Sequence, residues 1–201
     1  MKSGIYDFRA GLRFPEMVHK YFSFLELHGF HCVKSLSTYV RFESPPLFIN
    51  IYHGRSSFEI GVELGVIGEH DKVGNYPYSL SALLEVARYP KAEEYRDFAT
   101  HTPDGVNEGV KIESELFKNF VLPILNNPDL FELLKEQRKV RTEKYFKKEK
   151  LFYLRRDLDK AWLAKDYPRV VELLRPARKD LDIVQIKKLE YAENRLKDIH
   201  P

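Results

Sequence analysis

The stretch from Thr38 to Ile67 constrains the fold more than any other part of the chain. Three runs rich in β-branched and aromatic residues, 38–44, 47–53 and 57–67, are separated by Pro45-Pro46 and by Gly54-Arg55. Turn residues between such runs mark strands joined by tight connections. In the third run Phe58, Ile60, Val62 and Leu64 alternate with Ser57, Glu59, Gly61, Glu63 and Gly65, the period of a strand with one buried face. Val40 and Phe42 repeat the pattern in the first run, and Leu47, Ile49 and Ile51 in the second. Connections this short join antiparallel neighbours, because a parallel crossover needs about a dozen residues. The expected product is a meander whose other face, left open, carries Tyr39, Arg41, Glu43, Phe48, Asn50, Tyr52, Glu59 and Glu63.

Helices should flank this sheet. Residues 15–29 open with proline and close with glycine, and Val18, Tyr21, Phe22 and Leu25 form a helical stripe. A short strand is expected over 31–34, where Cys32, the only cysteine, reads as a small buried hydrophobe and excludes an internal disulfide. Beyond the sheet, Ser79 is placed to cap a helix that Pro90 stops, and a shorter helix is expected over 91–99. Thr102-Pro103-Asp104-Gly105 reads as a turn before a helix over 106–125, which Pro123 should kink or end. Asn127-Pro128-Asp129 reads as a new helix start. The fold class is therefore α+β: an N-terminal helix and an antiparallel meander of about four strands packed with helices, followed by an all-helical region. The expected division is a sheet domain over 1–127 and a basic helical region over 128–201.

Charge divides along the same line. Residues 1–127 hold 13 Lys/Arg against 16 Asp/Glu, whereas 128–201 hold 20 against 14. From Asp129 to Tyr167 there is neither glycine nor proline, and residues 135–150 contain eight basic residues and three glutamates with only Val140, Tyr145 and Phe146 as apolar anchors. Such a segment is a solvated helix or an electrostatic patch. Apolar residues resume at Leu151, Phe152, Leu154, Leu158, Ala161, Trp162 and Leu163. Leu163, Ala164 and Tyr167, followed by Val170, Val171, Leu173 and Leu174, give this last segment a spacing that resembles a tetratricopeptide-type helical hairpin over about 30 residues. Pro176 and Asp180 depart from that pattern and no second copy follows, so the resemblance implies a helix pair and nothing more. Asp180 is placed to cap a final helix with a seam of Leu189, Ala192, Leu196 and Ile199.

No specific catalytic motif is present. Glu59 and Glu63 stand about 13 Å apart on an ideal strand, too far for the paired carboxylates of a glycosidase. None of the seven histidines falls at the spacing that puts two metal ligands on one helix face, and Gly61, Gly65, Gly68 and Gly74 lack the strand-to-helix context of a phosphate loop. Gly61 and Gly65 are better suited to a bulge or a close approach on the sheet. No cofactor, metal ligand or catalytic residue is assigned. No run approaches the roughly 18 apolar residues of a membrane span, and residues 1–14 lack the apolar core of a signal peptide, so a soluble, cytoplasmic protein without a membrane partner is expected.

Three functions remain open. The first is a non-enzymatic module that binds a protein partner through the open sheet face, with Tyr39, Arg41, Phe48, Asn50, Tyr52, Glu59 and Glu63 as contacts. The second is nucleic-acid binding through Arg138, Lys139, Arg141, Lys144, Lys147 and Lys148, with Tyr145 and Phe146 stacking on bases. The third is a metal-dependent hydrolase or nuclease built on Glu43, Glu59, Glu63 or His53.

Overall fold

The computed structural model describes residues 9–54 and 56–199, the side chains of residues 198 and 199 excepted. Strands β1 (His31–Leu36), β2 (Tyr39–Ser44), β3 (Leu47–His53) and β4 (Glu59–Val66) form the antiparallel meander that the alternation requires. Two short strands complete it: β5 (Tyr78–Ser79) and β6 (Phe98–Ala99) pair with opposite ends of the free edge of β4, making a six-stranded sheet. Arg55, half of the expected turn after β3, lies outside the described residues.

One face of the sheet is dry. Val40, Phe42, Ile49, Ile51, Ile60, Val62 and Leu64 are all buried, and they meet side chains from four helices. These are α1 (Phe14–Tyr21), α2 (Phe24–Leu27), α3 (Leu80–Val86) and α4 (Pro103–Leu116). Phe14, Val18, Leu25, Leu83, Val106 and Val110 project from them into the same core. The first turns of α5 (Leu130–Leu163) add Leu130 and Leu134. α4 lies close against the sheet at Gly109, where an added Cβ would stand 2.6 Å from Ile60 Cδ1.

Several helices differ from the expected ones, each for a local reason. The helix expected over 15–29 breaks at Phe22-Ser23 into α1 and α2. In an unbroken helix Phe22 and Phe24 would face opposite sides; the break, with the Ser23 hydroxyl donating to the Lys20 carbonyl, lets both rings enter the core. Ser79 does precede α3, but its hydroxyl makes no capping bond. Residues 91–99 are not a helix: they run through turns into β6, where the β4 edge supplies hydrogen bonds that a short helix would have to make alone. The expected turn at 102–105 is the start of α4, with Thr102 accepting from the Gly105 amide at 3.2 Å and Pro103 in the first turn. Beyond α4 the chain winds through a wide turn (Phe117–Val121) and a tight one (Leu122–Ile124) around Pro123.

The chain divides into two compact units, Met1–Arg138 and Lys139–Pro201, and the division falls inside α5. In the second unit α6 (Tyr167–Leu174) and α7 (Ile183–Ile199) pack with the end of α5 around Leu158, Ala161, Val170, Val171, Leu174, Leu189 and Ala192. Phe152 and Leu163, expected among the apolar residues of this bundle, are exposed instead. Leu196 packs at the edge of the core, and the Ile199 side chain lies outside the described residues. No described helix is long and apolar enough to cross a membrane.

The cap of α7 is Asp182, not Asp180. Asp182 Oδ1 accepts from the Gln185 amide at 2.9 Å and Gln185 Oε1 accepts from the Asp182 amide at 3.0 Å, a reciprocal box that satisfies two backbone donors. Asp180 pairs instead with Lys147 at the surface. Asp182→Ala should therefore lower unfolding stability by about 1 kcal/mol, and Asp180→Ala, which breaks only a surface pair, by clearly less, as measured by urea denaturation of each variant.

Candidate functional site

Period-two alternation sends Tyr39, Arg41 and Glu43 of β2, Phe48, Asn50 and Tyr52 of β3, and Glu59, Gly61, Glu63 and Gly65 of β4 to the face away from the helices. Pairing then sets Phe48 opposite Gly65, Asn50 opposite Glu63 and Tyr52 opposite Gly61. Each aromatic ring reaches over the glycine across from it: a Cβ on Gly65 would stand 2.3 Å from Phe48 Cζ, and one on Gly61 2.3 Å from Tyr52 Cζ. The sequence carries a trace of this, since the two glycines are spaced four apart, as are the two rings.

The face expected to be open is therefore filled by its own side chains. Phe48 is 1% exposed and Asn50 7%, whereas both were expected at the surface. Arg41 closes the layer, its guanidinium 3.8 Å from the centre of the Phe48 ring. Its Nε donates to Glu43 Oε1 at 2.7 Å, and its two terminal nitrogens donate to both oxygens of Asp71 at 2.8 and 3.3 Å. The loop after β4 brings Asp71 there: Gly68 turns at φ +76°, and the Val66 amide donates to His70 Nδ1 at 3.0 Å. These pairs hold Asp71 below the usual carboxylate range and raise Arg41 further, although burial works against the cation. Arg41 is thus a structural cover rather than a free anchor. Asp71 and His70 lacked any sequence signal, because they lie in the loop after β4, outside any periodic run.

A second chain of bonds crosses the middle of the face. The Tyr39 hydroxyl donates to Asn50 Oδ1 at 2.6 Å, and Asn50 in turn supports the Glu63 carboxylate. Burial raises Glu63 in spite of that bond, and the charge of Asp97 adds to the rise. Tyr52, half-buried, is pushed far up by burial and by the Glu63, Asp97, Glu59 and Glu113 carboxylates. The face is consequently acidic at the β4 side, with Glu59 exposed at its end. Tyr39 and Tyr52 also border a shallow pocket of about 370 Å3 with Lys34, Leu36 and Thr38.

The residues of the hydrolase reading are not brought together. Glu43 is held by Arg41, and Glu63 by Asn50. His53 sits at the end of β3 with both ring nitrogens engaged: Arg9 donates to Nδ1 at 2.8 Å, so Nε2 carries the proton and donates to the Thr100 carbonyl at 2.8 Å. Burial lowers its pKa, the Arg9 charge assisting, which keeps the ring neutral between Phe14 and Phe58. An imidazole committed in this way ties the segment around Arg9 to the sheet and has no lone pair left to act as a base. Among the described residues no three carboxylate, imidazole or thiol groups converge as metal ligands. Cys32 is exposed, contrary to expectation, because β1 is an edge strand open on both faces.

The basic residues on α5 differ in exposure and in their known partners. Arg138 is engaged, donating to the carbonyls of Tyr76 and Pro77 and stacking on Tyr78 at 3.9 Å, and Lys147 pairs with Asp180. Lys139, Arg141, Lys144 and Lys148 are exposed. Among them stand four exposed rings, Tyr145, Phe146, Phe152 and Tyr153. The two pairs are seven residues apart, two helical turns, so they share one side of the helix about 10 Å from each other. Leu154, Leu158 and Ala161, at spacings of four and three, turn toward the bundle core and leave Phe152 and Tyr153 outside. The second ring pair was missed in the sequence, although its heptad spacing from Tyr145-Phe146 was visible there.

The aromatic-over-glycine packing makes unequal demands. The half-buried Tyr52 ring can swing toward solvent, whereas Phe48 is trapped beneath Arg41. Gly65→Ala should cost about 1–3 kcal/mol as overpacking, and Gly61→Ala clearly less, with chemical denaturation of the two variants as the measurement. Comparison of the chain with protein-family models, with curated proteins and with solved structures finds no match.

Proposed function

We propose that the protein binds single-stranded nucleic acid through the exposed side of α5 between Lys139 and Arg156. The observation that carries this reading is the pair of aromatic doublets, Tyr145-Phe146 and Phe152-Tyr153, left in solvent among cations. Clustered rings at a protein surface mark an interaction site. The ligand that satisfies flat rings and fixed positive charge together is a flexible polyanion with bases free to stack. A duplex offers phosphates but keeps its bases stacked within, so the rings favour single strands. Lys139, Lys144, Lys148 and Lys150 supply the charge, and Glu143 and Glu149 limit it.

A protein partner on the sheet is the second reading, and it rests on a smaller surface than the sequence implied. With Phe48 and Asn50 buried and Arg41 engaged, what supports it is the Tyr39 and Tyr52 pocket beside the exposed Leu36 of β1. Arg138 and Lys147, engaged elsewhere, are left out of the nucleic-acid surface.

Fluorescence anisotropy with labelled oligouridylate and oligothymidylate tests the first reading. Binding should weaken steeply with salt, and Lys144→Gln with Lys148→Gln should reduce the slope of log affinity against log salt by about 1.4 for two lost single-strand contacts. Tyr145→Ala with Phe152→Ala should weaken binding about tenfold or more at unchanged slope, given roughly 1–3 kcal/mol for each stacked base. Absence of binding at low salt would end the proposal.

A further inference from the structure

Behind β6 the structure holds a proton-counting problem. Tyr95 Oη lies 3.0 Å from Asp97 Oδ1 and 2.7 Å from Glu113 Oε2. A phenol has one proton to give, so with both carboxyls ionised one of these contacts would set lone pairs against each other. Glu113 projects from α4 and is 1% exposed, and its Oε1 has no hydrogen-bond partner. Asp97, just ahead of β6, is only half-buried. A neutral acid with one bare carbonyl is far cheaper to bury than an unpaired carboxylate. The arrangement that satisfies all three groups has Glu113 donating to Tyr95 and Tyr95 donating to Asp97.

We propose that Glu113 carries a proton in the folded protein, and that this proton latches the segment ahead of β6 onto α4 and is released as pH rises. When Glu113 ionises, its proton passes to solvent and the Tyr95 hydroxyl can serve only one of two adjacent carboxylates. The contact between α4 and residues 95–97 then becomes repulsive, and the two-residue pairing of β6 with Glu59 and Ile60 loses its support. The surroundings favour the neutral form. Tyr52 of β3 is within electrostatic reach of Asp97 and Glu113, Glu59 and Glu63 of β4 act on Asp97, and α1, packed on α4, brings the Tyr21 hydroxyl, which donates to Asn107. Burial pushes Glu113 up to about 7, the Asp97 charge adding and the Tyr95 hydroxyl opposing, as does the nearby Phe98 amide, which does not reach hydrogen-bond geometry with Oε1.

For a carboxyl raised in the folded state, the native protein binds more protons than the unfolded chain between the two pKa values. The stabilisation is complete below the ordinary value of 4.5 and is lost as pH rises through about 7. His53 and His70, lowered by burial, act in the opposite sense below pH 6.5, so the informative quantity is the difference between wild type and Glu113→Gln, which mimics the neutral acid. In urea unfolding the ratio of the wild-type to the variant unfolding constant should rise on the order of a hundredfold from about pH 5 to about pH 8. Amide exchange over residues 94–99, corrected for the intrinsic pH effect, should accelerate over the same range in the wild type only. Infrared spectra of the folded protein give a second readout: a protonated-carboxyl carbonyl absorption at about pH 6 that vanishes by about pH 8 in the wild type and is reduced in Glu113→Gln. A pH-independent ratio, or no such absorption at about pH 6, would overturn the proposal.

Discussion

The register between β3 and β4 is the constraint on which the first unit depends. In that one alignment Ile49 and Ile51 fall beside Leu64 and Val62 on the helix side, while Phe48 and Tyr52 fall over Gly65 and Gly61 on the other. A slip of one residue would exchange the faces of the strand that moved, setting Glu63 or Asn50 in the apolar core. It would also place the two rings over side chains instead of bare backbone. Both faces thus select the same pairing, one by burial of aliphatic groups and the other by the space that only glycine leaves.

The second face shows how polar residues close a sheet without a covering helix. Arg41 is flat enough to lie on Phe48 and has donors enough to engage Glu43 and Asp71 at once. Tyr39, Asn50 and Glu63 form a bonded row beside it. Most of the groups that looked available for a partner are consumed in this layer. The exposed rings and cations lie instead in the second unit, on α5.

The fold was largely legible because its signals are local and periodic. Alternation over residues 38–67 named three strands and their inward residues, and Pro123 marked an irregular helix end. The errors have local causes as well. Residues 91–99 became β6 because β4 had a free edge, and the helix over 15–29 broke because two phenylalanines both required the core. Asp182 displaced Asp180 as the cap because Gln185 can reciprocate and Lys147 draws Asp180 away. The site was less legible, since exposure depends on partners brought from distant positions: Asp71 to Arg41, Thr100 and Arg9 to His53, and Tyr76 and Pro77 to Arg138.

Sequence alone determined that an antiparallel meander packs one face on helices and that a long basic segment follows, because side-chain period and charge density are properties of neighbours along the chain. Tertiary structure decided which polar groups are engaged and which remain free. It sealed Phe48 beneath Arg41, neutralised His53 between two partners, and set one phenolic proton between Asp97 and Glu113. Hydrogen bonds and burial are settled between residues far apart in the chain, and no local pattern records them.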